Sequence, residues 1–540
     1  MDIQYLYSFV ISLGLSLLFI SLLIRHSARL GLMDDPTGDS RKIHSEKIPR
    51  SGGLGIIMAS GLAMLIILPF KESPFRFLIA SLVIIGFGLL DDILKLSPLQ
   101  KLGGQAMGVA IAMSGGMVMF SLPLLENSPA FLSYGITFIF VMGVINGVNF
   151  SDGMDGLAAG KTLMSLLLLL MLALESDNYL VALIALAIAA ALLGFLRFNT
   201  HPAKIFMGDA GSQFLGFVVA WLAISISQSE TSPVTTLMPL LILGLPVMDI
   251  LQVIAVRIHK KLPLPGPDKE HIHHQIAKLG FRSDEVVALI YMLQAILLGM
   301  AYVLRFAHDP VILAFYVAYA TIVLGAIYLT NVSGWRLHTR RSDNRTSRRN
   351  RFFRRLSGLH RHTGKLFGWF IALSLITAAV LSSDLPGVIV YVALGWAAVL
   401  LAIKLFSRNQ WPLALGRSAA YTAVALLTYG ITVSVTGQVE NWLIDGTCAL
   451  FLLLLAFAIR ITRRSYFWLT TQDLLVLLFI TVVAPLLPIN IGEDVSTGSL
   501  IFRTCSLLYI CEYVLARGKN AQRNLTFTAI IAMFLTALHL

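Results

Sequence analysis

Residues 134–160 read YGITFIFVMGVINGVNFSDGMDGLAAG, an apolar run from Tyr134 to Val148 that leads into Asp152 and Asp155. Such a run suits a helix that crosses lipid, and acids at the end of a membrane span are costly and usually functional. A helix continuing through 152–155 would place both acids on one face of a turn, because positions i and i+3 are neighbours. Four glycines (147, 153, 156 and 160) let backbone come close to a ligand. Asn146 and Asn149 add neutral polar groups one turn earlier. The competing reading is a polar loop in which one Asp serves as a helix N-cap.

The rest of the chain repeats the apolar pattern. Its 540 residues are 57% hydrophobic and only 13% charged, with a mean hydropathy of +0.79. A soluble chain carries roughly twice that charge fraction. Spans of about 20 apolar residues recur from end to end, which predicts an all-α polytopic membrane protein, since barrel strands would alternate polar and apolar residues. The first run, Ile3–Ile24, is too long for a cleaved signal and is expected to remain as a helix. Cys448, Cys505 and Cys511 form no CxxC pair, so neither zinc nor a disulfide framework is indicated.

Eleven spans are expected in a first module: 3–24, 52–70, 76–91, 103–120, 133–149, 161–174, 179–196, 211–227, 236–256, 285–305 and 311–330. Seven follow at 366–382, 387–405, 418–435, 442–459, 473–489, 500–516 and 525–540. The net charge of +12 is concentrated in particular loops, which makes it topological information and not a sign of nucleic-acid binding. The connections 25–50 and 257–282 are basic, whereas 121–132, 175–178 and 228–235 contain acids and no Lys or Arg. Placing the basic loops in the cytoplasm puts the N-terminus outside. Three divisions result: a membrane core at 1–330, a linker at 331–365 and a C-terminal membrane module at 366–540. The linker holds eleven Lys or Arg residues against the single acid Asp343, and reads as a cytoplasmic segment against anionic headgroups.

With that orientation the polar motifs share one side. Arg41, Lys42, His44, Lys47 and Arg50 precede Gly52-Gly53 at the start of a span, a pattern suited to phosphate because amides and helix dipole both face an anion; plain positive-inside flanking accounts for it equally well. Asp91-Asp92 ends the third span. Adjacent side chains diverge on a helix, so both meet one ion only if the helix frays, or else each has its own task. Mg²⁺ held with water and substrate phosphate is the functional reading, a solvated pair of helix-end acids the plain one. Asn199-Thr-His-Pro-Ala-Lys-Ile-Phe206-Met-Gly-Asp209-Ala-Gly-Ser212 leads into the eighth span, with Asp209 between two glycines and Phe206 able to stack on a base. His271, His273 and His274 lack the cysteines or carboxylates that would complete a zinc site, so anion binding is favoured. Acids and bases converging on one compartment fit Mg²⁺-dependent phosphoryl chemistry.

Five of these stretches, DDPTGDSRKIHSEKIPRSGGL at 34–54, LLDDILKL at 89–96, NGVNFSDGMDGLAAG at 146–160, NTHPAKIFMGDAGS at 199–212 and HIHH at 271–274, resemble the motifs of the polyprenyl-phosphate N-acetylhexosamine-1-phosphate transferases. That superfamily includes bacterial undecaprenyl-phosphate GlcNAc-1-phosphate transferases and the phospho-MurNAc-pentapeptide translocases. The HIHH form looks like the GlcNAc-1-phosphate branch. The resemblance implies that a UDP-N-acetylhexosamine, UDP-GlcNAc first, and undecaprenyl phosphate yield undecaprenyl-diphospho-sugar and UMP with Mg²⁺, or Mn²⁺ as a substitute. It also implies a bacterial inner membrane location and a cytoplasmic active site. Carried over residue by residue, Asp91, Asp92 and Asp209 look catalytic and, with Asn149, metal-holding. Lys47, Asn149, Asp152, Asp155, Asn199, Phe206, His271, His273 and His274 look like substrate contacts.

Residues 331–540 have no counterpart in the shorter transferases. A docking or stabilising module for later glycan-assembly proteins is the expectation for them, with Arg503 snorkelling toward the interface. Two other classes compete for the whole chain. A transporter or flippase with phosphate-binding loops would not need Asp91, Asp92, Asp152, Asp155 and Asp209 at one interface, and a scaffold with a dead transferase core would not keep all five motifs.

Overall fold

The computed structural model describes residues 3–29, 31–34, 47–67, 75–120, 129–229, 234–261, 270–333, 360–381, 394–395, 397–398, 420, 423–424, 427–432, 438–461, 497–515 and 519–535. The chain is an all-α multi-pass membrane protein. Seven helices among the described residues are long and apolar enough to cross a membrane. The described helices fall into two compact units, one within Met1–Arg340 and one within residues 341–540.

The first unit holds α1 (Ile3–His26), α2 (Gly52–Ile67), α3 (Phe75–Leu94), α4 (Pro98–Met113), α5 (Ala130–Phe150), α6 (Leu157–Glu175), α7 (Tyr179–Asn199) and α8 (Gly208–Ser227). These are followed by α9 (Met238–Ile242), α10 (Gly244–His259), α11 (Ile272–Lys278), α12 (Ser283–Val303) and α13 (Asp309–Val332). Among the described residues the only strands are a two-residue antiparallel ribbon, β1 (Met33–Asp34) and β2 (Ile48–Pro49). Helices α6, α7 and α8 are buried around most of their surface, and α13 exposes Val317, Ile322, Tyr328 and Leu329. The interior is therefore made of helices that are apolar over most of their surface, as burial among other helices demands.

Small residues and hydroxyls bring these helices close, since apolar area alone gives little drive for association in lipid. Ser16 donates to the Ala191 carbonyl at 2.7 Å, tying α1 to α7. Gly53 and Gly211 meet where α2 crosses α8, and a Cβ on either would collide with the other's backbone.

Two elements differ from expectation, and for a third the structure decides between a helix and a loop. Helix α4 begins at Pro98, five residues early, because Ser97 and Gln100 form a capping box with proline in the first turn. The span expected at 236–256 is broken into α9 and α10. Pro246 is the cause: it lacks an N–H and its ring crowds the carbonyl four residues back, Ile242. That carbonyl is taken instead by Ser165 and by Gln294, each at 3.1 Å. Finally, the helix does not continue through 152–155. It closes in a 3₁₀ turn at Ser151–Gly153, Met154 is extended (φ −139°, ψ 143°), and Gly156 takes φ 77° before α6 starts. Asp152 and Asp155 consequently do not share a helical face.

The second unit contains α14 (His360–Leu381), α15 (Gln438–Ile461), α16 (Thr497–Leu515) and α17 (Lys519–Leu535), packed on Phe367, Ile371, Leu375, Ile510 and Val514. Arg503 does not snorkel. It is 1% exposed and its guanidinium donates to Asp445 Oδ1 at 2.6 Å and Asn441 Oδ1 at 2.8 Å. Burying the charge is tolerable because a carboxylate and an amide wait for it on α15. Residues 334–359 of the basic linker and the spans expected at 387–405 (apart from four residues) and 473–489 lie outside the described residues.

Candidate active site

The site is built on the N-terminus of α8. Gly208 has φ 80°, a left-handed conformation in which a Cβ would collide with the Arg50 carbonyl. The turn aims the first amides of α8 toward the end of α3, where Asp92 accepts from Asp209 N at 2.8 Å and Ala210 N at 3.0 Å. Asp92 is thus a capping carboxylate supplied by another helix, well matched to the positive end of the dipole. Asp91 turns elsewhere: it accepts from Leu96 N at 2.9 Å and pairs with Lys101 Nζ at 3.0 Å. The two neighbouring acids have separate tasks, as side-chain divergence on a helix requires.

Lys101 is the centre of the arrangement. The capping box at Ser97 places it in the first turn of α4. Its ammonium donates to Asp209 Oδ1 and, at 3.1 Å, to Asn149 Oδ1, in addition to its bridge with Asp91. Asn149 donates to Asp209 Oδ1 at 2.6 Å and Ser212 Oγ at 2.8 Å. One turn away a second polar layer repeats the pattern on the same three helices: Gln105 donates to Gln213 at 3.0 Å, and Asn146 donates to Gln105 at 2.8 Å. The pairs 101/105, 146/149 and 209/213 have helical i+4 or i+3 spacing, so α4, α5 and α8 share one polar seam within an apolar bundle. Sequence reasoning did not assign Lys101; its signal was a lone cation in the first capped turn after the acid pair.

The turn after α5 distributes the remaining residues. Asp152 takes a backbone hydrogen bond from Gly208 and faces the charges of Asp209, Asp92 and Arg50. Asp155 points to the 199–207 segment, pairing with His201 Nδ1 at 2.7 Å and accepting from Ala203 N at 3.1 Å. Asn199 is buried and spans that segment, accepting from Gly156 N at 2.9 Å and donating to the Ile205 carbonyl at 2.8 Å. Phe206 is half-buried. The Gly52 and Gly53 amides are used within the protein, donating to Phe206 O at 2.9 Å and Met207 O at 2.7 Å, so the glycine pair does not present them to an anion. Lys47 is exposed beside β2. Arg41, Lys42 and His44 lie outside the described residues.

The histidines form their own stack. His271 and His273 are buried, with ring centroids 5.9 Å apart and planes at 12°, and His274 lies 4.1 Å from His273. His271 packs on Phe150 at 4.6 Å, and its Nδ1 is 3.0 Å from Asp249 Oδ2. Burial first, then the neighbouring His274, push the His273 pKa down to about 3. Asp249 and the buried Lys161, which donates to Ser151 Oγ at 2.5 Å, were not singled out from sequence. The signal for Asp249 was an acid inside an otherwise apolar span, three residues after Pro246.

Among the described residues no three His, Cys, Asp or Glu side chains come together as a metal-binding group. What converges instead is an oxygen set from Asp91, Asp209 and Asn149, already gathered around the Lys101 ammonium. Two carboxylates and an amide carbonyl are hard donors of the kind that Mg²⁺ completes with water and phosphate, so the residues would fit a divalent cation in the place that the Lys101 ammonium takes here.

A helical membrane chain that gathers acids, an amide and a lysine at a helix N-terminus has the layout of a phosphate-handling membrane protein. Comparison with known proteins specifies which. Residues 75–227 match the model of glycosyl transferase family 4. The chain is 34% identical over 311 residues to a probable undecaprenyl-phosphate N-acetylglucosaminyl 1-phosphate transferase of Bacillus subtilis strain 168, covering 56% of this chain and 86% of that one. It is 31% identical over 309 residues to a decaprenyl-phosphate N-acetylglucosaminephosphotransferase of Mycobacterium tuberculosis H37Rv, covering 49% and 74%. It is 28% identical over 300 residues to the undecaprenyl-phosphate alpha-N-acetylglucosaminyl 1-phosphate transferase of Escherichia coli K12, covering 54% and 81%. The chain belongs to this family of polyprenyl-phosphate N-acetylhexosamine-1-phosphate transferases.

Proposed function

We propose that the protein transfers GlcNAc-1-phosphate from UDP-GlcNAc to undecaprenyl phosphate, releasing UMP, at the cytoplasmic face of a bacterial inner membrane. The observation that carries this reading is the convergence of Asp91, Asp209 and Asn149 on Lys101 at the α8 N-terminus, in a chain related to transferases of that name. Asp209, Asp91 and Asn149 would hold Mg²⁺, with Mn²⁺ as a substitute, and Asp92 keeps the α8 N-terminus in place. The bound ion would neutralise diphosphate charge. Displaced by the ion from the Asp91, Asp209 and Asn149 oxygens, Lys101 would stabilise negative charge that develops on the transferred phosphoryl group.

The lipid phosphate is largely ionised at pH 7, its second pKa being about 6 by analogy with phosphorylated side chains. Its oxygen attacks the β-phosphorus directly, a new P–O bond forms, and the bond to the bridging oxygen breaks so that UMP leaves with the electron pair. No strong general base is required. Trapping a covalent phospho-enzyme with UDP-GlcNAc alone would overturn this direct route in favour of an aspartyl intermediate. Asp152 borders the site and is assigned to the nucleotide and diphosphate, and the histidine stack to the diphosphate or sugar; Asp155 and Asn199 shape the 199–207 segment that carries Phe206.

The test is a membrane assay with labelled UDP-sugars and undecaprenyl phosphate, with and without Mg²⁺. Label is expected in the lipid fraction with UDP-GlcNAc and Mg²⁺ and not after EDTA. Asp209→Asn should abolish turnover while the protein remains folded. Substantial residual activity would reject Asp209 as the ligand.

A further inference from the structure

We propose that Asp249 is a positioning residue for this reaction: it fixes which ring nitrogen His271 offers to the sugar of the donor substrate, and through His271 it sets the rest of the stack. The inference rests on the phosphotransferase reading. Asp249 lies on α10, just beyond the break made by Pro246, and is 4% exposed. A carboxylate in that position is costly unless its oxygens are occupied. Both are: Oδ2 lies 3.0 Å from His271 Nδ1, and Oδ1 accepts from Ile272 N at 2.7 Å. One side chain thereby holds both the imidazole and the backbone at the start of α11.

The consequence passes along the stack. With Nδ1 held as the donor, Nε2 carries the lone pair and can only accept, so its partner on the substrate is a hydroxyl or the N-acetyl N–H of the sugar and not a phosphate oxygen. His271 is clamped between Asp249 and the Phe150 ring, and His273 lies parallel to it. His273 Nε2 is buried without a hydrogen-bond partner and faces Gly153, where an added Cβ would lie 3.3 Å away. Gly153 follows Asp152, which faces Gly208 and Asp209. The acid on α10 is therefore linked by packed rings to the turn that borders the α8 N-terminus. Lys161, buried and bonded to Ser151 of that turn, acts electrostatically on Asp249 from α6.

The test is a double-mutant cycle in the full-length, detergent-purified enzyme with UDP-GlcNAc, undecaprenyl phosphate and Mg²⁺. Asp249→Asn keeps an acceptor for Ile272 N–H but offers His271 Nδ1 an N–H, reversing the tautomer. The expected result is a kcat lower by roughly tenfold to a hundredfold, the usual range for loss of such an orienting partner. The KM for UDP-GlcNAc should stay within about threefold, since the nucleotide still anchors the substrate and the lost contact serves to orient the sugar phosphate for attack. Asp249→Asn combined with His271→Ala should be no slower than His271→Ala alone, because residues acting as a unit are not additive. Additive losses, or a wild-type kcat in Asp249→Asn, overturn the proposal. If Asp249→Asn does not fold, Asp249→Glu takes its place in the same cycle, and failure of both to fold marks a structural role and overturns it too. An inactive wild-type enzyme would refute the phosphotransferase reading, whereas an active one with an unaffected Asp249→Asn refutes only the positioning role.

Discussion

Lys101 shows how much a single charge organises here. Its ammonium neutralises Asp91 and Asp209, which otherwise repel each other and Asp92 across the α8 N-terminus. Lys101→Met should therefore lower kcat/KM by roughly 100-fold or more, the scale of losing one preorganised donor to transition-state charge. A purified variant with wild-type turnover would remove Lys101 from the mechanism. His273 makes a prediction of a different kind. Its folded pKa of about 3 lies below the ordinary value of 6.5, so between those pH values the unfolded chain binds the extra proton. Stability accordingly falls as pH drops through that window, by roughly 2 kcal/mol at pH 5 for this one group. Thermal unfolding at pH 7.5 and pH 5 checks it: His273→Gln should flatten the acid-side loss, and equal pH dependence in both proteins would refute the assignment. The acid motifs were legible in the sequence because charges stand out in apolar runs. Their division of labour was not, because only the fold brings Asp92 to the α8 amides and leaves Asp91 to Lys101.

At the scale of elements, hydrophobic runs located the helices, and local chemistry decided where they stop. The Ser97–Gln100 box and Pro246 were both visible in the sequence, yet each moved a boundary that hydropathy alone had drawn elsewhere. The turn after α5 stayed open between helix and loop because i and i+3 spacing has meaning only if the helix continues, and Met154 is extended. Close crossings were less legible still, since a glycine in an apolar helix looks the same whether it faces lipid or a neighbour. The structure separates the two cases within one helix. A Cβ at Gly53 would collide with Gly211, whereas one at Gly61 meets nothing within 4 Å. Gly211→Ala on the facing helix should cost about 1–3 kcal/mol through overpacking and displace the α8 N-terminus, with loss of activity. Gly61→Ala should be neutral or stabilising by up to about 1 kcal/mol, as for a helical glycine whose added Cβ meets nothing. Unfolding temperatures that fail to separate the two would contradict the α2–α8 crossing.

For the whole molecule, the division into two units bears on what the C-terminal half is for. The residues proposed for chemistry all lie in the first unit, and the relatives named above align with only about half of the chain. The second unit has its own apolar core, and its buried Arg503 is satisfied by Asp445 and Asn441 of the same unit. A core and a polar network that close on themselves predict separable stability. Arg503→Leu would strand Asp445, which keeps 29% of its side chain in contact with solvent. The cost should therefore be at most about 3 kcal/mol, the lower edge for breaking a buried pair. That loss should lower the unfolding temperature of the second unit while leaving the kcat of sugar-phosphate transfer at the wild-type value. A chain ending at Arg361 provides the stronger form of the same prediction: in membranes it should retain full transferase activity. If either change lowers kcat at equal amounts of folded protein, the C-terminal half contributes to the reaction itself. If both leave kcat intact, its role is to be sought in what it binds, with glycan-assembly proteins as the partners to try first in cross-linking from intact membranes.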